Sequence, residues 1–174
     1  VQRGMIFDRN GKELAVSVPV VSVYADPKAL HKSLVSKVLR QARKNGEDQN
    51  ALAENTNELN KRIATYYNHD LRWRELADVL RIEPKKINAR LRDNPKRRFV
   101  YLKRQVTPAV ANYIGDLRLP GIHLLDESKR YYPAGEVTAH VIGFTNIDGH
   151  GIEGIEKLYE KQLTGVEGQR TIRK

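Results

Sequence analysis

Arg130-Tyr131-Tyr132-Pro133-Ala134-Gly135 opens a stretch that continues through Ala139-His140-Val141-Ile142-Gly143-Phe144 and Gly151-Ile152-Glu153-Gly154-Ile155-Glu156. It closes on Leu163-Thr164-Gly165-Val166-Glu167-Gly168, and the whole of it decides how the chain is read. Glycine weakens helices and strands, so glycines this dense imply tight turns, positive φ angles or backbones in close approach. Charged residues of both signs lie between them. The pattern predicts a compact junction where several segments meet.

Working outward, the first residues supply one such segment. Arg3-Gly4-Met5-Ile6-Phe7-Asp8-Arg9-Asn10-Gly11 leads into Lys12-Glu13-Leu14-Ala15. Asn10-Gly11 between short apolar runs predicts a hairpin with a type I′ turn, in which both residues take positive φ. Val16, Val18, Val20, Val21 and Val23 continue a β-rich run, and Pro19 places it at a sheet edge or at a bulge because proline cannot donate to a ladder. Asp26 then caps a helix with Pro27 at its first position; Leu30, Leu34, Val38 and Ala42 share one face and Gly46 stops it. From 46 to 73 the composition turns to Asn, Glu and Gln, with a thin stripe of Leu52, Leu59, Ile63 and Tyr66. This region is predicted to be a helical insertion.

Between Asp70 and Arg92 two short helices follow. Trp73, Leu76, Ala77 and Leu80 line the first, Ile82-Glu83-Pro84 breaks the chain, and Ile87 and Leu91 line the second with Lys85, Lys86, Arg90 and Arg92 outside. Two short helices with a basic second member are the pattern of a helix-turn-helix, so a nucleic-acid-binding domain stands as the rival functional reading. Phe99 to Gln105 alternates as a half-buried strand. Thr107-Pro108 starts another helix lined by Val110, Ala111, Ile114 and Leu117, and Leu119-Pro120-Gly121 fits a type II turn. Ile122 to Leu125 forms a short strand into the glycine-rich stretch. There, Gly154 to Leu163 is predicted helical, with Ile155, Leu158, Tyr159 and Leu163 inward, and Gln169 to Lys174 extended.

The composition is that of a surface-rich globular chain: 174 residues, 40% hydrophobic and 30% charged, with a formal net charge of +10. That excess favours anionic partners such as nucleic acid, acidic lipid headgroups or acidic polymers, or simply a solvated basic surface. No apolar run reaches bilayer length. The chain has no cysteine, which excludes disulfides, thiolate nucleophiles and zinc-ribbon sites. Its abrupt ends predict a piece of a longer protein.

A catalytic constellation does not emerge from the residues. The five histidines, His31, His69, His123, His140 and His150, lack the spacing of a helical metal pair. His140, in an apolar run, is expected in the core, and His150, between glycines, in an exposed loop. There is no phosphate-binding loop and no Gly-x-Ser-x-Gly elbow. Neither a cofactor nor a metal is expected.

Three segments together, the opening Arg3 to Gly11, the central Arg130 to Gly135 and the late Gly151 to Glu156, resemble the motifs of the non-catalytic N-terminal module of class B penicillin-binding proteins. Ala25-Asp26-Pro27-Lys28, Leu119 to Leu124 and Thr138 to Asn146 resemble the division-specific, septal FtsI-type branch of Gram-negative bacteria. The resemblance implies an α+β fold, an elongated module with short strands at the motif junction and a mostly helical lobe. It implies a structural and interaction motif made of Arg3, Gly4, Asp8, Arg9, Gly11, Arg130, Tyr132, Pro133, Gly135, Gly151, Gly154, Glu156, Gly165 and Gly168. Arg3, Arg130 and Glu156 are expected to form a charge network, since an arginine fork can hold both oxygens of a carboxylate; Glu153 is left open.

The family's transpeptidase carries Ser-x-x-Lys, Ser-x-Asn and Lys-Thr-Gly motifs. The residues three beyond Ser17, Ser22, Ser33, Ser36 and Ser128 are Val20, Ala25, Ser36, Leu39 and Tyr131, none of them lysine. Leu163-Thr164-Gly165 only imitates the third motif. The resemblance therefore implies a non-catalytic pedestal, with a membrane helix before residue 1 and the transpeptidase domain after residue 174. It implies a place on the periplasmic side of the inner membrane at the septum. The implied partners are a SEDS-family glycan polymerase, other divisome proteins and the protein's own transpeptidase domain, without nucleic acid, and the family label leaves a homodimer open.

Overall fold

The computed structural model describes residues 2–165, apart from the side chains of residues 67, 68 and 136. The α+β expectation holds. The elements are β1 (Ile6–Phe7), β2 (Glu13–Ala25), α1 (Pro27–Lys44), α2 (Gln49–Glu54), α3 (Thr56–His69), α4 (Leu71–Leu80), α5 (Pro84–Arg92), β3 (Val100–Val106), α6 (Pro108–Asp116), β4 (Ile122–Tyr131), α7 (Glu136–Ile142), α8 (Gly154–Leu158) and α9 (Glu160–Leu163). The long strand β2 pairs antiparallel with β1 near its start and with β3 near its end, and β4 also pairs with β2. Two compact units result: unit 1 is residues 1–20 with 126–174, and unit 2 is residues 21–125.

Unit 2 is a helical lobe built on the second half of β2, β3 and the first residues of β4. Asp26 accepts a hydrogen bond from the Ala29 amide at 2.8 Å and so caps α1, with Pro27 at its first turn. Leu30, Leu34, Val38 and Ala42 fall on one buried stripe. That stripe joins Leu52, Leu59 and Ile63 of α2 and α3, Trp73, Leu76, Ala77 and Leu80 of α4, and Ile87 and Leu91 of α5 in one core. Tyr66, expected on the same stripe, is exposed. The predicted alternation of β3 fails as well. Only Leu102 and Val106 are buried, and the register gains a residue twice, between Val106 and Lys103 and between Lys103 and Tyr101. Gln105 at the first bulge has a φ of +56°, and its amide donates to Oγ of the fully buried Ser22 at 3.2 Å. Gly121 takes a φ of +70° in the predicted turn, where a Cβ would press on Leu30 Cβ at 2.7 Å.

In unit 1 the β1–β2 hairpin turns differently from the expectation. Gly11 has a φ of +79°, whereas Asn10 keeps a negative φ. The Asp8 carboxylate accepts from the amides of Asn10 and Lys12 at 2.8 and 2.9 Å, which favours a longer turn closed by Gly11 over a two-residue type I′ turn. Pro19 lies on β2 between its pairings with β1 and β3, so it blocks neither ladder, although β2 is not an edge strand. β4 runs further than predicted and carries Arg130 and Tyr131 on a strand rather than in a loop. His140 is exposed on α7, so its apolar neighbours in sequence do not make it a core residue. The expected extended segment from 169 to 174 lies outside the described residues.

Candidate functional site

The glycine-rich segments of unit 1 converge on a buried carboxylate. Glu156 sits on α8 with no solvent exposure, and guanidinium groups from two other parts of the chain grip its two oxygens. Arg3, from the strand entry before β1, donates from Nε to Oε2 at 2.6 Å, while Arg130, on β4, donates from Nε to Oε1 at 2.7 Å. The Arg3 and Arg130 side chains are only 6% and 3% exposed. Arg3 also donates to the Glu156 carbonyl at 2.6 Å, the Gly149 carbonyl at 3.1 Å and Thr164 Oγ1 at 3.2 Å. Arg130 Nη1 donates to Ser17 Oγ at 3.1 Å and to the Arg3 carbonyl at 3.4 Å, and Ser17 Oγ donates to that same carbonyl at 3.1 Å.

A second carboxylate completes the cluster. Glu160 opens α9, four residues after Glu156, and accepts from Arg3 Nη2 at 2.7 Å and from the Gly151 amide at 2.9 Å. Its pKa falls to about 2, chiefly because of the Arg3 hydrogen bond. Burial alone would lower the Arg3 pKa, but the hydrogen bonds it donates to Glu160 and Glu156 outweigh it and raise the value. Two guanidiniums therefore face two carboxylates, with every ion pair within 2.7 Å. In this cluster every carboxylate oxygen of Glu156 and Glu160 is already engaged by a hydrogen bond or ion pair. What the cluster can do is fix the relative placement of β2, β4 and the α8–α9 turn, because breaking any pair strands a buried charge.

The glycines explain how Glu156 comes to lie inward. A Cβ on Gly151 would run into the backbone of Glu156 and lie 2.7 Å from the Lys157 amide nitrogen, so side-chain-free chain is needed where this loop crosses α8. Gly154 opens α8 at a φ of +59°, and a Cβ there would meet Gly143 N at 2.6 Å. These close approaches set the rotation of α8, which buries Glu156 and leaves Leu158 75% exposed. The amphipathic expectation that Leu158 and Tyr159 point inward is thereby reversed, and Tyr159 breaks the predicted helix into α8 and α9. Glu153 is exposed.

The other predicted positions lie elsewhere in unit 1 or outside the described residues. Gly4 donates its amide to the Leu163 carbonyl at 2.8 Å, which ties the start of the chain to the end of α9. Tyr132 is half-buried; its hydroxyl accepts from the Thr145 amide at 3.0 Å, and burial raises its pKa. Pro133 is exposed in the turn before α7, Gly135 caps that helix, and Gly165 follows α9. Asp8, Arg9 and Gly11 form the hairpin turn rather than the charge cluster, with Arg9 exposed at its tip. Gly168 lies outside the described residues. Among the described residues no group of His, Asp and Glu side chains could hold a metal ion, and no helix is long and apolar enough to cross a membrane.

The family model for the penicillin-binding protein dimerisation domain matches residues 1–174. The chain belongs to that family. Within it, the chain is 47% identical over 172 residues to the peptidoglycan D,D-transpeptidase FtsI of Escherichia coli K12, covering 99% of this chain and 24% of that protein. It is 33% identical over 99% of its length to the probable peptidoglycan D,D-transpeptidase PbpC of Pseudomonas aeruginosa, again matching 24% of that protein. The dimerisation domain thus spans about a quarter of the length of these curated relatives. Among solved structures, the complex between penicillin-binding protein PBP2 and MreC from Helicobacter pylori shares the fold, with a TM-score of 0.56 and 19% identity over 94% of this chain and 28% of that one.

These relatives support the family resemblance and give no support to the nucleic-acid reading. The α4–α5 pair that suggested it spends its apolar faces on the core of the domain. Sequence reasoning had found Arg3, Arg130 and Glu156 but missed Glu160, Ser17 and Thr164. Glu160 carried a readable signal, since it lies four residues after Glu156 and so on the same helical face. Ser17 lies in a valine-rich strand and gave none.

Proposed function

We propose that this dimerisation domain is the non-catalytic periplasmic pedestal of a septal peptidoglycan D,D-transpeptidase. In this reading a membrane helix precedes residue 1 and the transpeptidase domain, with its acylated serine, follows residue 174. The domain holds that enzyme away from the inner membrane at the division site and contacts a SEDS-family glycan polymerase and other divisome proteins. The region from about 46 to 73, which includes α2 and α3, is read as an insertion. Residues Arg3, Gly4, Arg130, Gly151, Gly154 and Glu156 form the motif that fixes the module's orientation.

The observation that carries the reading is the buried Arg3–Glu156–Arg130 junction. It joins the first residues of the chain to α8, which supports a rigid junction between the segments proposed to flank the domain. Relatives are D,D-transpeptidases by name, and a protein of the same fold is known in complex with MreC, which supports a partner-binding role.

Fluorescent penicillin tests the assignment. Labelling is expected for a polypeptide extended through the transpeptidase domain and not for residues 1–174 alone. In that longer protein Glu156→Ala is expected to impair division while acylation persists. Labelling of the short chain, or no labelling of the long one, overturns the proposal.

A further inference from the structure

The net charge is not spread over the chain. Unit 2 carries 21 Lys and Arg against 11 Asp and Glu, whereas unit 1 carries 10 against 10. Within unit 2, the segment from Arg81 to Arg104 has ten basic residues and only Glu83 and Asp93 to oppose them. Those two acids form single exposed pairs, Glu83 with Lys86 at 3.6 Å and Asp93 with Arg92 at 3.5 Å. Arg90 and Lys103 are spent on the carbonyls of Leu102 and Leu80. Lys85, Lys96, Arg97 and Arg98 are exposed, and among the described residues no carboxylate pairs with them.

This basic surface borders two clefts lined in part by α5, each of about 590 Å³. The more apolar one lies among α1, α3 and α5 and is lined by Pro27, Ile63, Ala64 and Leu91 together with Asn60, Asn88 and Arg92. We propose that this α5–β3 face docks an acidic polypeptide segment that carries an apolar anchor residue. Carboxylates would meet the cations from Lys85 to Arg98, the anchor would enter the cleft, and the asparagine amides would take backbone groups.

The alternatives fit less well. A planar headgroup layer satisfies cations but cannot fill a concave apolar cleft. A glycan needs free aromatic faces, and the rings of Phe99, Tyr24 and His123 stack on one another instead, Phe99 on Tyr24 at 4.3 Å and Tyr24 on His123 at 5.3 Å. The inference deepens the pedestal reading by giving one partner its chemistry. It stands or falls on peptide binding, whereas that reading stands or falls on penicillin labelling.

The test is fluorescence anisotropy of the 174-residue chain with a labelled amphipathic peptide bearing Glu on one face and Leu at three- and four-residue spacing. A Lys-for-Glu counterpart, phosphatidylglycerol–phosphatidylcholine vesicles and purified peptidoglycan are run beside it. The acidic peptide is expected to bind, and Arg97→Glu with Arg98→Glu to weaken it about tenfold or more and flatten its salt dependence. Ala64→Phe, which fills the cleft, is expected to weaken binding with the salt slope unchanged. No binding of the acidic peptide, equal binding of the basic one, or indifference to Ala64→Phe overturns the proposal. Binding of vesicles or peptidoglycan in place of the peptide, lost on the arginine reversals, assigns the surface to them and overturns it equally.

Discussion

Glu156→Ala is the substitution that most directly interrogates the junction. The carboxylate is fully buried and supplies one oxygen to each of two arginines at 2.6 and 2.7 Å. Without it Arg3 keeps Glu160 and the Glu156 carbonyl, but among the described residues Arg130 retains only Ser17 and the Arg3 carbonyl, both neutral acceptors. Removing one partner of a buried pair costs about 3–5 kcal/mol, because the guanidinium left behind has neither water nor counter-charge. For a domain of this length each kcal/mol moves the melting temperature about 2–4 °C, so a fall of roughly 6–20 °C is expected. Thermal and urea melts followed by circular dichroism read it. The double variant Arg130→Met with Glu156→Leu separates charge stranding from lost packing, since it removes the stranded charge and should recover about half of the loss or more. A shift under about 2 °C for Glu156→Ala, or a double variant as unstable as the sum of its singles, would refute the reasoning.

Three further outcomes follow from the same geometry. Glu160 titrates near 2 in the folded state against an ordinary 4.5, so its stabilisation is complete above about pH 4.5 and lost as the pH falls towards 2. The shift caps that contribution at about 3 kcal/mol, and partial solvent exposure reduces it to about 1–2, so Glu160→Gln should flatten the acid limb of a urea-stability profile between pH 5 and pH 3 by about that much. Gly151→Ala forces a Cβ into the backbone at Glu156 and should prevent unit 1 from reaching its native hydrogen-exchange protection, whereas Gly11→Ala, with open space around it, should cost only about 1 kcal/mol for its positive φ. Ser22→Ala leaves the amide of the bulged Gln105 without its hydroxyl acceptor, and a loss of about 1–2 kcal/mol is expected in denaturant melts.

Unit 2 was largely legible in the sequence because hydrophobic burial decides it. Leu30, Leu34, Val38 and Ala42 repeat at helical spacing, and their caps, Asp26-Pro27 and Gly46, are local signals. Where the strands are bulged, as at Gln105, alternation no longer tracks burial, and only the partner strand reveals it. In unit 1 apolar periodicity pointed the wrong way. It buried Leu158, Tyr159 and His140, all of which are exposed, because glycine contacts set the rotation of α8 and those contacts link positions far apart in sequence. Arg3, Arg130 and Glu156 were recovered through the family resemblance together with the chemistry of arginine, since nothing in their local sequence announces burial.

That contrast has one physical cause. Of the buried hydrophobic residues, unit 2 holds twenty, while unit 1 has only Ala15, Val16, Val20 and Ile142 among its described residues. Four small or medium side chains supply too little apolar area to select one arrangement of three strand segments and three short helices. Selection in unit 1 therefore falls to interactions that are directional. Buried ion pairs add little net stability over a well-packed apolar replacement, but they penalise every arrangement that leaves a charge unpaired. Glycines that admit no Cβ act in the same sense, because they permit one backbone crossing and no near neighbour of it. A junction specified this way can leave Val137, Val141, Ile152 and Leu158 exposed without losing its shape. Its geometry rests instead on Arg3, Arg130, Glu156 and Glu160.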